Sequence, residues 1–366
     1  MKLASVKNAI KKKKVSWKAG KTSRSGHTLS DLQAGSVGTR SSDEINSLSA
    51  AMSDVSTELQ DRIEAFGGDA EPASAFSWLS ETDNCGRPVI TPPKDQSPGD
   101  TSCNSCVAFA IVGAVEARMN ILKLQTAGEV NLSEGYLFFS GCGFCCTNGW
   151  TTYAGLKAAQ NGIPTEEAYP YDPDTSEPPG IVQPVVYVDH FSKVMNPRDM
   201  KRAIQVKGPI VAEMTIYEDF KFYRSGIYEP VSDDEVGQHT VAVIGYNDSE
   251  EYWLCKNSWG TDWGFDPTRP DGGGFFKIRY GAAGLGTLPR YDLDLHVELS
   301  LPEAQDVIDK IAAVANQYEP LKNCLLGIAI GQPQHCLPFH AEVVEIFEDI
   351  IVAYPQLSDR LYDAIS

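Results

Sequence analysis

The sequence predicts an α+β protein in which a helical half is followed by a strand-rich half. In the first half, the apolar stretch from Val107 to Leu122 and the segments after it have helical spacing. After a Pro-rich linker at 172–184, short β-branched and aromatic stretches predict strands at 185–188, 210–215, 240–246, 252–256 and 275–280. Two such lobes side by side would leave a cleft between them.

A chain of 366 residues is too long for one average core, so we expect extensions around a main domain. The Lys-, Ser- and Gly-rich start has no hydrophobic period, which predicts a disordered tail. A capping box at Ser41 and Glu44 opens an amphipathic helix that Gly67 and Gly68 end. The predicted units are a basic disordered tail at 1–40, this helix within 41–72, a main domain at 73–290 and a helical C-terminal extension at 291–366.

The net charge of −18 is unevenly distributed along the chain. Residues 1–40 hold ten Lys and Arg against one Asp, a net charge of +9, which leaves −27 on the remainder. A body this acidic argues against nucleic acid as a partner. No stretch approaches the roughly 20 apolar residues of a transmembrane helix, and 1–14 lacks the apolar part of a secretory signal. We therefore expect synthesis in the cytoplasm, with non-classical export as the route out of it.

A polar loop with Gly and Pro delivers Cys106 to the start of the predicted apolar helix. The positive end of the helix dipole favours the thiolate and lowers the pKa of such a thiol. For a lone helical cysteine, an inert core residue is the competing interpretation. Two later segments favour a nucleophile: His239 at the mouth of a β-branched strand and Asn257 in a turn, 133 and 151 residues further on.

These three segments resemble the signatures of the papain/cathepsin family of cysteine peptidases. They read CNSCVAF around Cys106, HTV from His239 and KNSWGTDWG around Asn257, and the resemblance extends over about residues 75–290. It implies a papain-like two-lobe fold with a helical left lobe, a β-barrel-like right lobe and a cleft between them. It also implies a cysteine endopeptidase made as a precursor. The helix within 41–72 would then be a propeptide that blocks the cleft, or a helix packed on the back of the domain.

The resemblance assigns a role to each residue of the site. Cys106 would attack the peptide carbonyl, His239 would shuttle the proton, Asn257 would orient the ring, and Trp259 would shield that contact from water. Gln96 would donate to the oxyanion, although it precedes the nucleophile by ten residues where the family has six. We expect the four inserted residues to bulge outward and leave Gln96 in place. The alternative is loss of the donor, which typically lowers the rate about 10²- to 10³-fold.

The same resemblance implies a disulfide between Cys103 and Cys146. It leaves Cys142 and Cys145 without a partner, and Cys324 and Cys336 could bridge within the C-terminal extension. The C-x-x-C-C cluster could bind zinc with Cys103, but it lacks a second pair at a zinc-site spacing. We therefore predict no metal and no other cofactor.

The resemblance also predicts which residues line the substrate groove, namely Gly149, Trp150, Ala212, Glu213, Gly237 and Thr240. A carboxylate in the pocket for the second side chain before the scissile bond would favour basic substrates. The alternative is that Glu213 points to solvent on its strand.

The predicted partners are peptide or protein substrates, with intramolecular inhibition by the N-terminal segment; the sequence makes no prediction of oligomeric state. Two other functions remain open. A catalytically silent papain-like scaffold could bind proteins through its helical extension, and the shifted Gln96 favours it. An acyl transferase could use the same triad to pass the acyl group to an amine.

Overall fold

The computed structural model describes residues 1–27, 71–82, 88–99, 101, 103–121, 130–142, 146–147, 149–175, 179–265 and 273–297. Its α-helices are α1 Leu3–Lys13, α2 Cys106–Ile121, α3 Glu134–Cys142, α4 Thr152–Ala159 and α5 Pro197–Val206. Its strands are β1 Lys18–Ala19, β2 Ala75–Ser77, β3 Val186–Lys193, β4 Ile210–Tyr217, β5 Tyr223–Ser225, β6 Ile227–Tyr228, β7 Glu235–Asn247, β8 Tyr252–Lys256, β9 Phe275–Arg279 and β10 Arg290–Val297. The predicted two-lobe α+β fold is confirmed. Within the described ranges no helix is long and apolar enough to cross a membrane.

Helix α2 is the centre of the helical lobe. It is apolar all round, and every residue from Cys106 to Ala117 is buried, as expected for a helix enclosed by other elements. Helices α3 and α4 pack against it through Phe138, Leu156 and their neighbours. At Gly155 an added Cβ would lie 2.5 Å from Val107, so only glycine allows this close approach of α4 to α2.

The strand-rich lobe is built on one mixed sheet with the strand order β3-β10-β4-β7-β8-β9-β6, and β2 pairs with β7. Alternating residues of β4 face different cores, because successive strand residues point to opposite faces. Ala212 and Met214 lie in the core of the strand-rich lobe, whereas Val211 packs into the core of the helical lobe. The Val211 face of β4 therefore looks toward the junction of the two lobes.

Charged residues cluster where the lobes meet, and all of them are buried except the partly exposed Lys94. Lys94 donates to Glu116 at 3.1 Å and to Glu134 at 2.9 Å, while Lys256 lies 3.9 Å from Glu116. Thr91 donates to Glu116 at 2.5 Å and accepts from Lys256 at 2.7 Å. We call Lys94, Glu116, Glu134 and Lys256 the interlobe ion cluster, and it ties α2 and α3 of one lobe to β8 of the other.

The predicted disordered tail is wrong for residues 1–27, which we call the N-terminal segment. It forms α1 and β1, and β1 pairs with β5 as a two-stranded sheet. Trp17 is buried against Tyr223 and Tyr228, and its indole donates to the Glu229 carbonyl at 3.0 Å. The segment docks through a small number of apolar residues, and the residues that they contact are distant in sequence. The hydrophobic periodicity of residues 1–27 therefore did not indicate an ordered structure. The helix predicted within 41–72 lies outside the described residues, except for 71 and 72, which are not helical.

The predicted start of the helical extension at 291 is also wrong. Strand β10 runs antiparallel to both β3 and β4, so the sheet continues to Val297. The alternation of Tyr291, Leu293 and Leu295 with Asp292 and Asp294 is a strand pattern of period two that the sequence analysis missed. The rest of the predicted extension lies outside the described residues.

Candidate active site

The start of α2 carries Cys106, and a disulfide fixes the loop before it. Cys103 and Cys146 are bonded, which confirms that predicted pair. The Asn104 N–H donates to the Cys146 carbonyl at 3.0 Å, so the loop is held on both sides of the bridge. Cys142 is disulfide-bonded as well. Two of the four thiols considered for zinc are therefore joined to each other.

The strand and the turn bring His239 and Asn257 together, although 18 residues separate them. His239 Nε2 and Asn257 Oδ1 are 2.7 Å apart, so Nε2 donates its proton to the amide oxygen. The Trp259 ring lies 5.3 Å from the His239 ring, and all three side chains are buried. This arrangement fixes the tautomer of the imidazole and excludes water from the contact, as the sequence analysis expected of these residues.

The Cys106 thiol has no exposed surface, and burial raises its pKa to about 12. The backbone N–H and the hydroxyl of Thr240 and the N–H of Val107 oppose this rise, while the charge of Glu213 adds to it. Thr240 follows His239 in β7, and its hydroxyl lies 3.1 Å from that of Thr152 on α4. In this structure burial therefore favours the neutral thiol of Cys106, which lies at the junction of the lobes.

The loop that carries Gln96 bulges outward, and Gln96 stays beside the nucleophile loop. Its Nε2 donates to the Cys103 carbonyl at 2.9 Å, and its Oε1 accepts from the Ser258 hydroxyl at 2.6 Å. Of the inserted residues that the structure describes, Thr101 donates to the Pro98 carbonyl at 2.7 Å, and Gly99 has a φ of 67°. Pro98 and Gly99 are exposed, so this part of the insertion lies at the surface.

Two residues that support Gln96 had no role in the sequence analysis. The Tyr171 hydroxyl donates to the Gln96 carbonyl at 2.6 Å and lies 2.8 Å from the Ser105 hydroxyl. Ser258 holds the Gln96 side chain, and the Gln96 N–H donates to the Ser258 carbonyl at 2.9 Å. Because Ser258 follows Asn257 directly in the sequence, its place in the site could have been inferred from this adjacency. Nothing local indicated Tyr171, which lies 75 residues from Gln96.

The predicted groove residues do not all face the site. Ala212 points into the core of the strand-rich lobe, so its assignment to the substrate pocket is wrong. The Trp150 indole packs into the helical core, 5.8 Å from the Phe138 ring. Glu213 lies opposite Thr240 in the β4–β7 register, on the face of β4 that looks toward the helical lobe. Its alternative placement in solvent is also wrong, since only 4% of it is exposed.

The remaining two predicted groove residues lie near the start of a helix and near the start of a strand. Gly149 precedes α4 with a φ of 72°, and Gly237 pairs with Ile216 at the entrance of β7. Both are partly exposed, unlike the fully enclosed Cys106. Behind Asn257, a cavity of about 10 Å³ reaches Lys94 and Lys256 of the interlobe ion cluster. That volume is about the size of one water molecule.

Comparison with known proteins identifies similar chains. Cathepsin B-like protease 1 of Arabidopsis thaliana is 29% identical over 238 residues, 57% of this chain and 58% of that protein. A cathepsin L-like peptidase of Aedes aegypti is 37% identical over 189 residues, 48% of this chain and 53% of that protein. The chain thus spans between half and three fifths of the length of these two relatives.

Solved structures share the fold at low identity. Procathepsin B S9 from Trypanosoma congolense superposes with a TM-score of 0.59 at 21% identity, covering 79% of this chain and 97% of that one. Digestive procathepsin L 3 of Tenebrio molitor gives 0.58 at 19% identity, covering 80% and 87%. The profile of papain family cysteine proteases matches residues 78–285, more than half of the chain. The chain belongs to the papain family of cysteine proteases.

Proposed function

We propose that the protein is a cysteine endopeptidase, made as a precursor, that hydrolyses peptide bonds through an acyl-enzyme. The observation that carries this proposal is the buried 2.7 Å contact between His239 and Asn257, which lies beside the Trp259 ring. Thr240, the residue after His239, contacts Cys106. A histidine oriented in this way is the proton shuttle that a thiol nucleophile requires.

The chemistry follows from these side chains. The Cys106 thiol gives its proton to the imidazole, and the sulfur attacks the peptide carbonyl carbon. Gln96 Nε2 and the Cys106 N–H stabilise the oxyanion. The imidazolium then protonates the leaving amine as the C–N bond breaks, which leaves a thioester on Cys106. Water, deprotonated by His239, attacks the thioester, releases the acid and restores the thiol.

Precursor synthesis is supported by the closed state of the site. The Cys106 thiol and the His239 ring have no exposed surface, and burial holds the thiol neutral. A substrate needs access to both groups, so the lobes or the segments covering the site must move before catalysis. The N-terminal segment, docked on the strand-rich lobe, is the part of the described chain that release would free.

A test compares the two free cysteines of the described chain. The full chain is incubated with reductant at mildly acidic pH, and peptide hydrolysis and new N-termini are followed. Wild type and Cys255→Ala should hydrolyse the peptide and cut themselves between Gly67 and Trp78, whereas Cys106→Ala should do neither. Hydrolysis that survives in Cys106→Ala would remove the assignment.

The same assay separates the alternatives. A silent scaffold would give no product in any variant. An acyl transferase would give mainly the amide when an amine acceptor is added, whereas an endopeptidase gives mainly the free acid. Product ratios with and without the acceptor therefore decide between hydrolysis and transfer.

We further propose that Glu213 selects a basic side chain two residues before the scissile bond. Its carboxylate is buried, lies opposite Thr240 and acts electrostatically on Cys106. Pairing a cation with such a group adds a charge-assisted contact. For Glu213→Gln, the ratio of kcat/KM for Arg over Leu at that position should fall roughly 10- to 100-fold. Glu235→Gln, on the exposed start of β7, should leave the ratio unchanged, and an unchanged ratio in Glu213→Gln would contradict this specificity.

A further inference from the structure

The Tyr171 hydroxyl joins the two chain segments that carry the proposed oxyanion donors. It donates to the Gln96 carbonyl at 2.6 Å and lies 2.8 Å from the Ser105 hydroxyl. A tyrosine hydroxyl has one proton and a carbonyl oxygen only accepts, so the Tyr171 proton points to Gln96 and the Ser105 hydroxyl donates to Tyr171. We call this chain of two hydrogen bonds, from Ser105 through Tyr171 to Gln96, the Tyr171 bridge.

Each end of the Tyr171 bridge lies next to one donor. Ser105 precedes Cys106, so the peptide unit that carries the Cys106 N–H begins at the Ser105 carbonyl. That carbonyl accepts from the Ala108 N–H at 2.9 Å, which ties Ser105 to the first turn of α2. At the other end, the Gln96 amide nitrogen has two protons, and it uses one to bind the Cys103 carbonyl at 2.9 Å. The second proton is the one that an oxyanion would accept.

The position of the Tyr171 hydroxyl is fixed by the helical lobe. The Tyr171 ring meets the Phe109 ring of α2 edge to face at 4.8 Å and lies nearly parallel to the Phe139 ring of α3 at 6.4 Å. The Tyr171 N–H donates to the Glu166 carboxylate at 2.8 Å. Burial raises the pKa of Tyr171, so the hydroxyl keeps its proton throughout the pH range of an enzyme assay. None of these contacts involves either end of the bridge, so the hydroxyl is a fixed reference point for both.

The bridge completes the support of Gln96. Ser258 holds the Gln96 side chain through its hydroxyl at 2.6 Å, whereas Tyr171 holds the Gln96 backbone. Donors stabilise an oxyanion when they lie about 2.7–3.1 Å from it and are in place before the charge develops. Without the Tyr171 hydroxyl, the segments of Gln96 and Ser105 would lose their shared contact, and the separation of the two donors would vary.

We propose that Tyr171 is a positioning residue for peptide hydrolysis, whose hydroxyl fixes the separation between Gln96 and the Cys106 N–H and so preorganises the oxyanion site. This inference rests on the proposed function, since it assigns Tyr171 a task in that reaction. Tyr171 acts through the two donors and not on the substrate.

The test removes the hydroxyl and keeps the ring. Each variant is activated with reductant at mildly acidic pH, and its reactive Cys106 is titrated with a thiol-directed epoxide, so that rates are given per active site. Tyr171→Phe should lower kcat for a peptide roughly tenfold with KM unchanged, because the lost hydrogen bond matters only in the transition state. Ser105→Ala cuts the bridge at its other end and should also lower kcat with KM unchanged. Tyr217→Phe, which loses a hydroxyl contact with Glu235, should match wild type.

Two reagents separate positioning from a purely structural role. A peptide aldehyde adds the Cys106 sulfur to its carbonyl carbon and places an oxygen at the oxyanion donors. Iodoacetamide alkylates the same sulfur with loss of iodide and forms no oxyanion. In Tyr171→Phe the dissociation constant of the aldehyde, measured by calorimetry, should rise roughly tenfold, while the alkylation rate stays at the wild-type value. The double variant with Gln96→Ala should lose less kcat than the product of the two single losses, because the bridge acts through Gln96.

Several results would overturn the proposal. Wild-type kcat in Tyr171→Phe would do so, as would an alkylation rate that falls together with kcat, since the hydroxyl would then support the fold or the thiolate. Single losses that multiply in the double variant would remove the link to Gln96, and wild-type kcat in Ser105→Ala would remove the link to Cys106. Failure of the proposed function is distinguishable, because the wild type would then hydrolyse no peptide. The aldehyde comparison needs no turnover, so an unchanged dissociation constant in Tyr171→Phe would still overturn the bridge.

Discussion

At the scale of single residues, the position of Gln96 could be predicted from the sequence even though its spacing from Cys106 differs from that of the family. Its expected position beside the nucleophile loop could be inferred because a polar insertion with Pro and Gly forms a surface turn more readily than it distorts a buried strand. Of its two supports, Ser258 is marked in the sequence only by its position next to Asn257, and Tyr171 could not be inferred because it reaches Gln96 only in the folded chain. Hydrogen bonds between distant side chains have no periodic signature in sequence.

Replacing Gln96 tests its assignment as oxyanion donor. Gln96→Ala removes a donor that would act only on the transition state, so kcat should fall about 10²- to 10³-fold with little change in KM. Ser258→Ala keeps the Gln96 donor but removes the hydroxyl that holds the Gln96 side chain, so kcat should fall less than in Gln96→Ala. Steady-state kinetics on one peptide substrate measures both, and a Gln96→Ala variant with wild-type kcat would place the donor elsewhere.

Thr240 affects the ionisation of the Cys106 thiol. Its hydroxyl and N–H lower the pKa of the Cys106 thiol against the dominant effect of burial. Thr240→Val removes the hydroxyl, so the thiol pKa should rise and the thiolate should appear only at higher pH. The rate of thiol alkylation at Cys106 as a function of pH measures this shift. Thr240→Ser keeps the hydroxyl and should retain the wild-type pH profile of alkylation. Identical profiles for Thr240→Val and Thr240→Ser would show that the hydroxyl does not lower the pKa of the Cys106 thiol.

At the scale of elements, the buried helix α2 could be predicted from its long apolar stretch, and the strands β4, β7, β8 and β9 from their short β-branched and aromatic stretches. Two elements were mispredicted for different reasons. The N-terminal segment has too little apolar surface to fold alone and depends on the partner surface around β5. Strand β10 alternates apolar residues with Asp, and this acidic pattern was read as part of a helical extension.

Trp17 should anchor the N-terminal segment. Its indole fills a site between Tyr223 and Tyr228 and donates to Glu229. Trp17→Ala should weaken docking by about 3–5 kcal/mol, as for other buried aromatic truncations. Limited proteolysis of the chain would then cut residues 1–27 much faster, while Lys12→Ala on the exposed side of α1 should leave the rate unchanged. Equal cleavage rates in Trp17→Ala and wild type would show that the segment is held by other contacts.

At the scale of the whole molecule, the lobes are joined by charge as well as by apolar packing. Glu116 is buried on α2 and contacts Lys94 and Lys256 from the other side of the junction. Glu116→Gln removes the carboxylate that faces Lys256 and leaves Lys94 with Glu134, so the free energy of unfolding should fall by about 3–5 kcal/mol. Urea unfolding measures this loss of free energy, and Glu250→Gln, at an exposed position, is the control variant. A loss below about 1 kcal/mol would mean that the cluster is solvated in solution.

The family could be predicted from three motifs because catalysis needs a few side chain types at spacings that the fold imposes. The closed state could not be predicted, since it depends on which surfaces cover the site. Burial of Cys106 and the ion pair between Arg24 and Asp95 are properties of the assembled molecule. Burial raises the pKa of a thiol that carries the family signature and so favours its neutral form in this structure.

The central claim is that Cys106 becomes a thiolate nucleophile through His239, and covalent labelling tests it most directly. After the N-terminal segment is released, the protein is treated with a thiol-directed epoxide and mapped by peptide mass spectrometry. Of the two free cysteines in the described part of the chain, we predict an adduct on Cys106 and none on the buried Cys255, and loss of the Cys106 adduct in His239→Ala. Labelling that persists in His239→Ala, or that falls on Cys255 instead, would contradict the account.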